Sequence, residues 1–164
     1  IYATGNSTAV ESWNGTSWSE VAEINTNGAK RVGFGTQTSG LIAGGEASPP
    51  GAVIDSTEVW NGSAWTEVNN LNTARQGARS SSGTDATTGL YFGGSDPGAL
   101  TGKTELWNGT SWSEQNDMAV AAAETLGAGS GLSAIRGSQN SPVSGASEEW
   151  NVPESISNVS VDVD

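Results

Sequence analysis

Short apolar or alternating runs recur along this chain, each bounded by glycine or a polar turn, and they predict strands throughout. Three segments share nearly the same wording: Glu11-Ser-Trp-Asn-Gly-Thr-Ser-Trp-Ser-Glu20, Glu58-Val-Trp-Asn-Gly-Ser-Ala-Trp-Thr-Glu67 and Glu105-Leu-Trp-Asn-Gly-Thr-Ser-Trp-Ser-Glu114. A fourth starts at Glu148-Glu-Trp150-Asn151 and breaks at Pro153. Their first tryptophans are Trp13, Trp60, Trp107 and Trp150, at steps of 47, 47 and 43 residues. Within each segment Asn-Gly predicts a hairpin turn, because both residues accept positive φ. Alternation places Glu11 with Trp13, and Trp18 with Glu20, on common strand faces.

The rest of each period supplies two more strands. One is rich in small residues: Arg31 to Gly35, Arg75 to Gly83 and Ala121 to Gly129. The other is apolar and ends in glycines: Leu41-Ile-Ala-Gly-Gly45, Leu90-Tyr-Phe-Gly-Gly94 and a degenerate Leu132-Ser-Ala-Ile-Arg-Gly137. Ile1-Tyr-Ala-Thr-Gly5 matches this strand in a unit whose beginning is missing. Small residues suit a crowded strand where backbones approach closely. Four strands in a period of roughly 40 to 50 residues is the signature of a propeller blade.

The order of elements resembles the Kelch repeat. Gly44, Gly45, Gly93 and Gly94 match its double glycine, and Trp13, Trp60 and Trp107 stand where Kelch repeats usually carry tyrosine. Trp18, Trp65 and Trp112 match the second aromatic. Arg31 and Arg75 match the arginine of the innermost strand, which the third unit lacks, with Ala122 nearby. The resemblance implies an all-β chain of Kelch-like β-propeller blades, four-stranded antiparallel sheets, about three and a half in number. Residues 1–152 form the propeller segment, with repeats starting near 8, 55, 102 and 146; residues 153–164 are an exit strand or the start of a following domain. Since a ring needs at least about four blades, others are expected from further sequence of the same polypeptide or from a second copy. The Asn-Gly-Thr-Ser-Trp wording also resembles degenerate repeats of bacteriophage tail and virion proteins.

Composition narrows the chemistry. Leu, Ile, Val and Phe total 27 of 164 residues, which alone would suggest disorder, but seven regularly spaced tryptophans argue for a packed fold. A net charge of -12 disfavours nucleic acid and anionic membrane surfaces as partners. No apolar run approaches the roughly 20 residues needed to span a bilayer. There is no cysteine and no histidine, which removes thiol chemistry and the commonest general base and metal ligand. Kelch-type copper oxidases, which use histidine and a Cys-Tyr pair, are therefore not matched.

Repetition weighs against function at the most conspicuous residues. Glu11, Glu58, Glu105 and Glu148 could form a cation-binding carboxylate ring, but a residue present in every unit reads as scaffold. The tryptophans could stack on sugars, yet six repeat identically and read as packing between units. Asn14, Asn61 and Asn108 sit in glycosylation sequons that turn chemistry already explains. Asp96 has no neighbouring carboxylates at calcium-loop spacing. Val159 to Asp164 alternates like a strand with a polar face.

What varies is the connection after the double glycine, expected on the face opposite the Asn-Gly turns. Variable loops on a rigid scaffold favour binding, and Arg31, Asp55, Arg75, Asp96 and Lys103 are the candidate residues of that face. No catalytic residue, metal or cofactor is expected. The sequence points to a non-enzymatic structural or recognition module of an extracellular particle. The leading reading is a phage tail or fibre protein at the virion surface, contacting host-surface glycan or other virion proteins. A bacterial adhesin or carbohydrate-binding propeller, and a glycosidase-like propeller enzyme, are the alternatives.

Overall fold

The computed structural model describes residues 2–3, 7–47, 51–80, 86–124, 126–140 and 143–151. They form antiparallel β-structure, with no helix among the described residues. Four successive sheets follow the repeat. The first contains Tyr2–Ala3, Val10–Trp13 and Trp18–Val21. The second contains Val32–Gly35, Gly40–Ala43, Thr57–Trp60 and Trp65–Val68. The third contains Arg79–Ser80, Gly89–Phe92, Thr104–Trp107 and Trp112–Gln115. The fourth contains Leu126–Gly129, Ser133–Asn140 and Val143–Asn151. Within each sheet the strands pair in chain order. The predicted exit segment, residues 153–164, lies outside the described residues, and with it the predicted alternation of Val159 to Asp164.

The apolar strands stop just before their glycines for a backbone reason. Gly44 and Gly45 have φ of 60° and 115°, and Gly93 and Gly94 have φ of 67° and 99°, a region that L side chains avoid. The chain leaves the ladder there and docks on the next unit. Gly45 N–H donates to the Arg75 carbonyl at 2.7 Å, and Gly94 N–H to the Ala122 carbonyl at 2.8 Å.

The Asn-Gly hairpins form, but not by the predicted means. Only the glycines take positive φ: 97° at Gly15, 98° at Gly62 and 92° at Gly109. Each asparagine works through its side chain. Asn14 Oδ1 accepts Thr16 N–H and Ser17 N–H, both at 2.9 Å, and Asn61 and Asn108 do the same. The loop is Asn14–Ser17 in length, because Trp13 pairs with Trp18 across the ladder. The side-chain oxygen satisfies amides that a longer loop leaves without ladder partners.

The sheets stack through a repeated contact. Trp60 and Trp65 of the second sheet pack on Val10, Val21 and Ile24 of the first sheet and its exit. Trp107 and Trp112 of the third pack on Leu41, Val59 and Val68 of the second. Trp150 of the fourth packs with Leu90, Phe92 and Leu106 of the third. The paired rings lie 5.3 Å apart in both complete cases. Trp13 and Trp18 keep the same pairing at 5.4 Å but are 41% and 52% exposed, against 4% and 9% for Trp60 and Trp65. Among the described residues no sheet covers them.

Crowding at the double glycine is directly testable. A side chain at Gly93 would run into the Ala122 carbonyl and approach Met118 Cε to 2.9 Å, in a backbone conformation unfavourable to valine. Gly93→Val should destabilise the protein by ~3 kcal/mol in chemical denaturation. A wild-type midpoint would contradict this account of the glycine pair.

Candidate functional site

Two of the four repeated glutamates, Glu58 and Glu105, lie inside the stack, while Glu11 and Glu148 are partly exposed. Glu58 and Glu105 are 0% and 1% exposed. Burying a carboxylate is costly unless donors replace its water, and here each donor set is complete. Glu58 accepts Asn25 N–H at 2.7 Å, Thr26 N–H at 3.0 Å and the Asn25 side-chain amide at 3.0 Å. Arg31 adds an ion pair at 3.0 Å. One repeat later Glu105 accepts Asn72 N–H at 2.8 Å and its side-chain amide at 2.9 Å, with Arg75 at 2.7 Å. Asn25 and Asn72 belong to the connection leaving the preceding sheet. Each carboxylate therefore fastens one unit to the exit of the one before it. Burial pushes the Glu58 carboxyl up, but the Asn25 and Thr26 amides and the Arg31 guanidinium outweigh it and hold it below its ordinary value.

The fourth sheet keeps the charge pair and changes its source. Ala119 N–H donates to Glu148 at 2.6 Å, and Arg136 forms the ion pair. The arginine that the third unit lacks near Ala122 is thus supplied from the next strand. The degenerate Leu132-to-Gly137 copy held the signal, since Arg136 is the last cation in the sequence.

The five residues expected on the loop face have different surroundings. Arg31 and Arg75 are corrected from that expectation: their side chains are 6% and 0% exposed, and the terminal nitrogens of both planar heads donate to protein acceptors. Arg31 also donates to Thr26 O at 2.9 Å and Ser56 O at 3.1 Å. Arg75 donates to Gly93 O at 3.1 Å and Lys103 O at 2.6 Å, and lies 4.8 Å from the centre of the Tyr91 ring. Lys103 Nζ reaches Thr73 Oγ1 at 3.2 Å, which brings it to the same link as Arg75. Asp55 accepts the Asn70 side-chain amide at 3.3 Å. Asp96 lies in a small ribbon, Ser95–Asp96 against Ala99–Leu100, at the end opposite the Asn-Gly turns.

That end holds a feature with no obvious sequence signature. Lys30, Gly77 and Glu124 are one period apart and share left-handed φ of 55°, 63° and 53°. Gly77 N–H donates to Lys30 O at 3.4 Å, and Glu124 N–H to Gly77 O at 2.8 Å. Lys30 reaches Glu46 at 2.9 Å and Gln76 at 3.0 Å. Non-glycine residues held left-handed cost about 1–3 kcal/mol each. This backbone chain, the Ser95–Leu100 ribbon and the pairing of Gly28–Ala29 with Glu46–Ala47 make the variable face. Among the described residues, no group of three or more acidic, His or Cys side chains is placed to hold a metal ion.

Glu105→Gln should lower stability by ~3 kcal/mol, because Arg75 would remain buried without a counter-charge. The loss should be equal in calcium and in a chelator. Glu58 adds a pH signature. Its depressed pKa contributes stability above its ordinary value near 4.5, lost as pH falls through the lowered folded value. Glu58→Gln should flatten that acid limb in melts recorded against pH. Calcium-dependent stabilisation removed by either variant would restore the cation-ring reading.

No protein-family model matches the chain, and no curated protein matches it in sequence.

Proposed function

We propose that the four sheets are blades of a Kelch-like β-propeller, about three and a half of them in this chain. In this reading the segment is a non-enzymatic recognition and structural module outside the cell: a phage tail or fibre protein at the virion surface that contacts host-surface glycan or neighbouring virion proteins. One observation carries it. The buried glutamates and their arginines are absorbed in joining the sheets, while the connections that differ between units emerge at one end. A repeated carboxylate held by an arginine and backbone amides is poorly placed for acid–base work. Variable loops on a rigid stack suit binding.

The exposed Trp13–Trp18 pair extends the reading to partners. The same pair is covered by a neighbouring sheet at Trp60–Trp65 and Trp107–Trp112. Further repeats, from the same polypeptide or a second copy, would cover it in the working assembly.

A glycan array followed by turnover assays is the test. Binding to host-surface polysaccharide with no release of sugar is the expected result. Release of sugar by the chain alone would replace this reading with the glycosidase-like enzyme.

A further inference from the structure

The contact between the third and fourth sheets breaks the repeat. Between the second and third sheets, three rings fill the space: Tyr91, Trp107 and Trp112. Tyr91 stands edge-on to Trp112 at 6.1 Å, and the tryptophans lie 5.3 Å apart. In the fourth sheet only one of these rings has a counterpart among the described residues. Trp150 takes the place of Trp107, because Ala134 pairs with Trp150 as Gly89 pairs with Trp107. Arg136 takes the place of Tyr91, because it pairs with Glu148 as Tyr91 pairs with Glu105. No tryptophan follows Trp150 in the sequence, which has a serine at the five-residue step that separates Trp107 from Trp112.

A cleft of about 50 Å³, open to solvent, lies at this contact. Its apolar lining includes Leu90, Phe92, Met118 and Trp150. Thr104 also lines it, at the position where Thr57 accepts the Trp112 indole N–H at 3.0 Å. The cleft is thus the seat that a second tryptophan occupies elsewhere in the stack. Asn116 and Asp117 line it as well and are exposed.

We propose that this cleft is a subsite for one uncharged pyranose ring of a glycan. The proposal rests on the glycan-recognition reading above and names the sugar class. A pyranose offers a flat C–H face for Trp150 and edge hydroxyls for the Asp117 carboxylate, the Asn116 amide and the Thr104 hydroxyl. Charge sets the selectivity. Arg136 is already paired with Glu148, so the remaining charge on the lining, Asp117 and Glu149, is acidic. A sugar carboxylate or phosphate would meet repulsion there and throughout a chain of net charge -12.

Heteronuclear NMR titration of the whole chain tests this, with the neutral methyl pyranosides of glucose, galactose and mannose as probes and methyl glucuronide as the acidic comparison. At least one neutral pyranoside should shift the Trp150 indole N–H and the Asn116, Asp117 and Met118 amides. The glucuronide should bind at least about tenfold more weakly. Asp117→Ala should also weaken binding about tenfold, with an unchanged melting temperature because Asp117 is exposed. Neutral sugars that leave Trp150 unmoved would overturn the proposal, as would equal binding of the glucuronide. If sugars shift only residues near Lys30 and Asp96, the cleft fails and glycan recognition stands. If no sugar shifts any resonance and no array glycan binds, both fail.

Discussion

A carboxylate taken out of water must be met by donors, and at Glu58 and Glu105 most of those donors belong to another unit. The Asn25, Thr26 and Asn72 amides come from the link leaving the preceding sheet, while Arg31 and Arg75 come from the entry to the glutamate's own sheet. A unit folded alone would leave its glutamate and arginine short of partners. The pair is therefore weak evidence for added stability and better understood as a fastening that specifies where one sheet sits on the next. The fourth sheet shows what is being constrained. There the arginine comes from a different strand, yet it still meets Glu148, and Ala119 N–H still arrives from the preceding link.

The other repeated words follow from that fastening. With the link held against the next sheet, Gly45 and Gly94 donate to its carbonyls, and the approach is so close that a side chain at Gly44 or Gly93 would run into those same Arg75 and Ala122 carbonyls. With the sheets held at fixed spacing, a tilted tryptophan pair fills each gap. The fit is not perfect everywhere. Trp112 Nε1 reaches Thr57, but Val10 stands at that position one repeat earlier, and Trp65 Nε1 is buried without a partner among the described residues. Such departures mark where units have diverged. The largest divergence, at the fourth sheet, is also where the cleft lies.

Strand positions were readable because they depend on local signals: alternation, glycine punctuation and a constant period. Turn positions were readable for the same reason, although the role of asparagine was not, since Asn14 acts through Oδ1 rather than through its own φ. The site residues were less legible. An arginine beside a variable loop reads as exposed, and only the register that places it against Glu58 or Glu105 shows that Arg31 and Arg75 turn inward. Asn25 and Asn72 repeat at 47 residues, but nothing local says that their amides meet a carboxylate from the next sheet. The left-handed chain of Lys30, Gly77 and Glu124 was hidden because only one of the three is glycine.

Native-state hydrogen exchange at the Asn25, Thr26 and Asn72 amides tests the fastening most directly. These amides belong to links between sheets, where exchange is ordinarily fast. If the buried glutamates hold them, they should be protected as strongly as the strand amides of Leu90 and Tyr91. Exchange at loop-like rates, with the strands protected, would show that the sheets are held together by the tryptophan contacts alone.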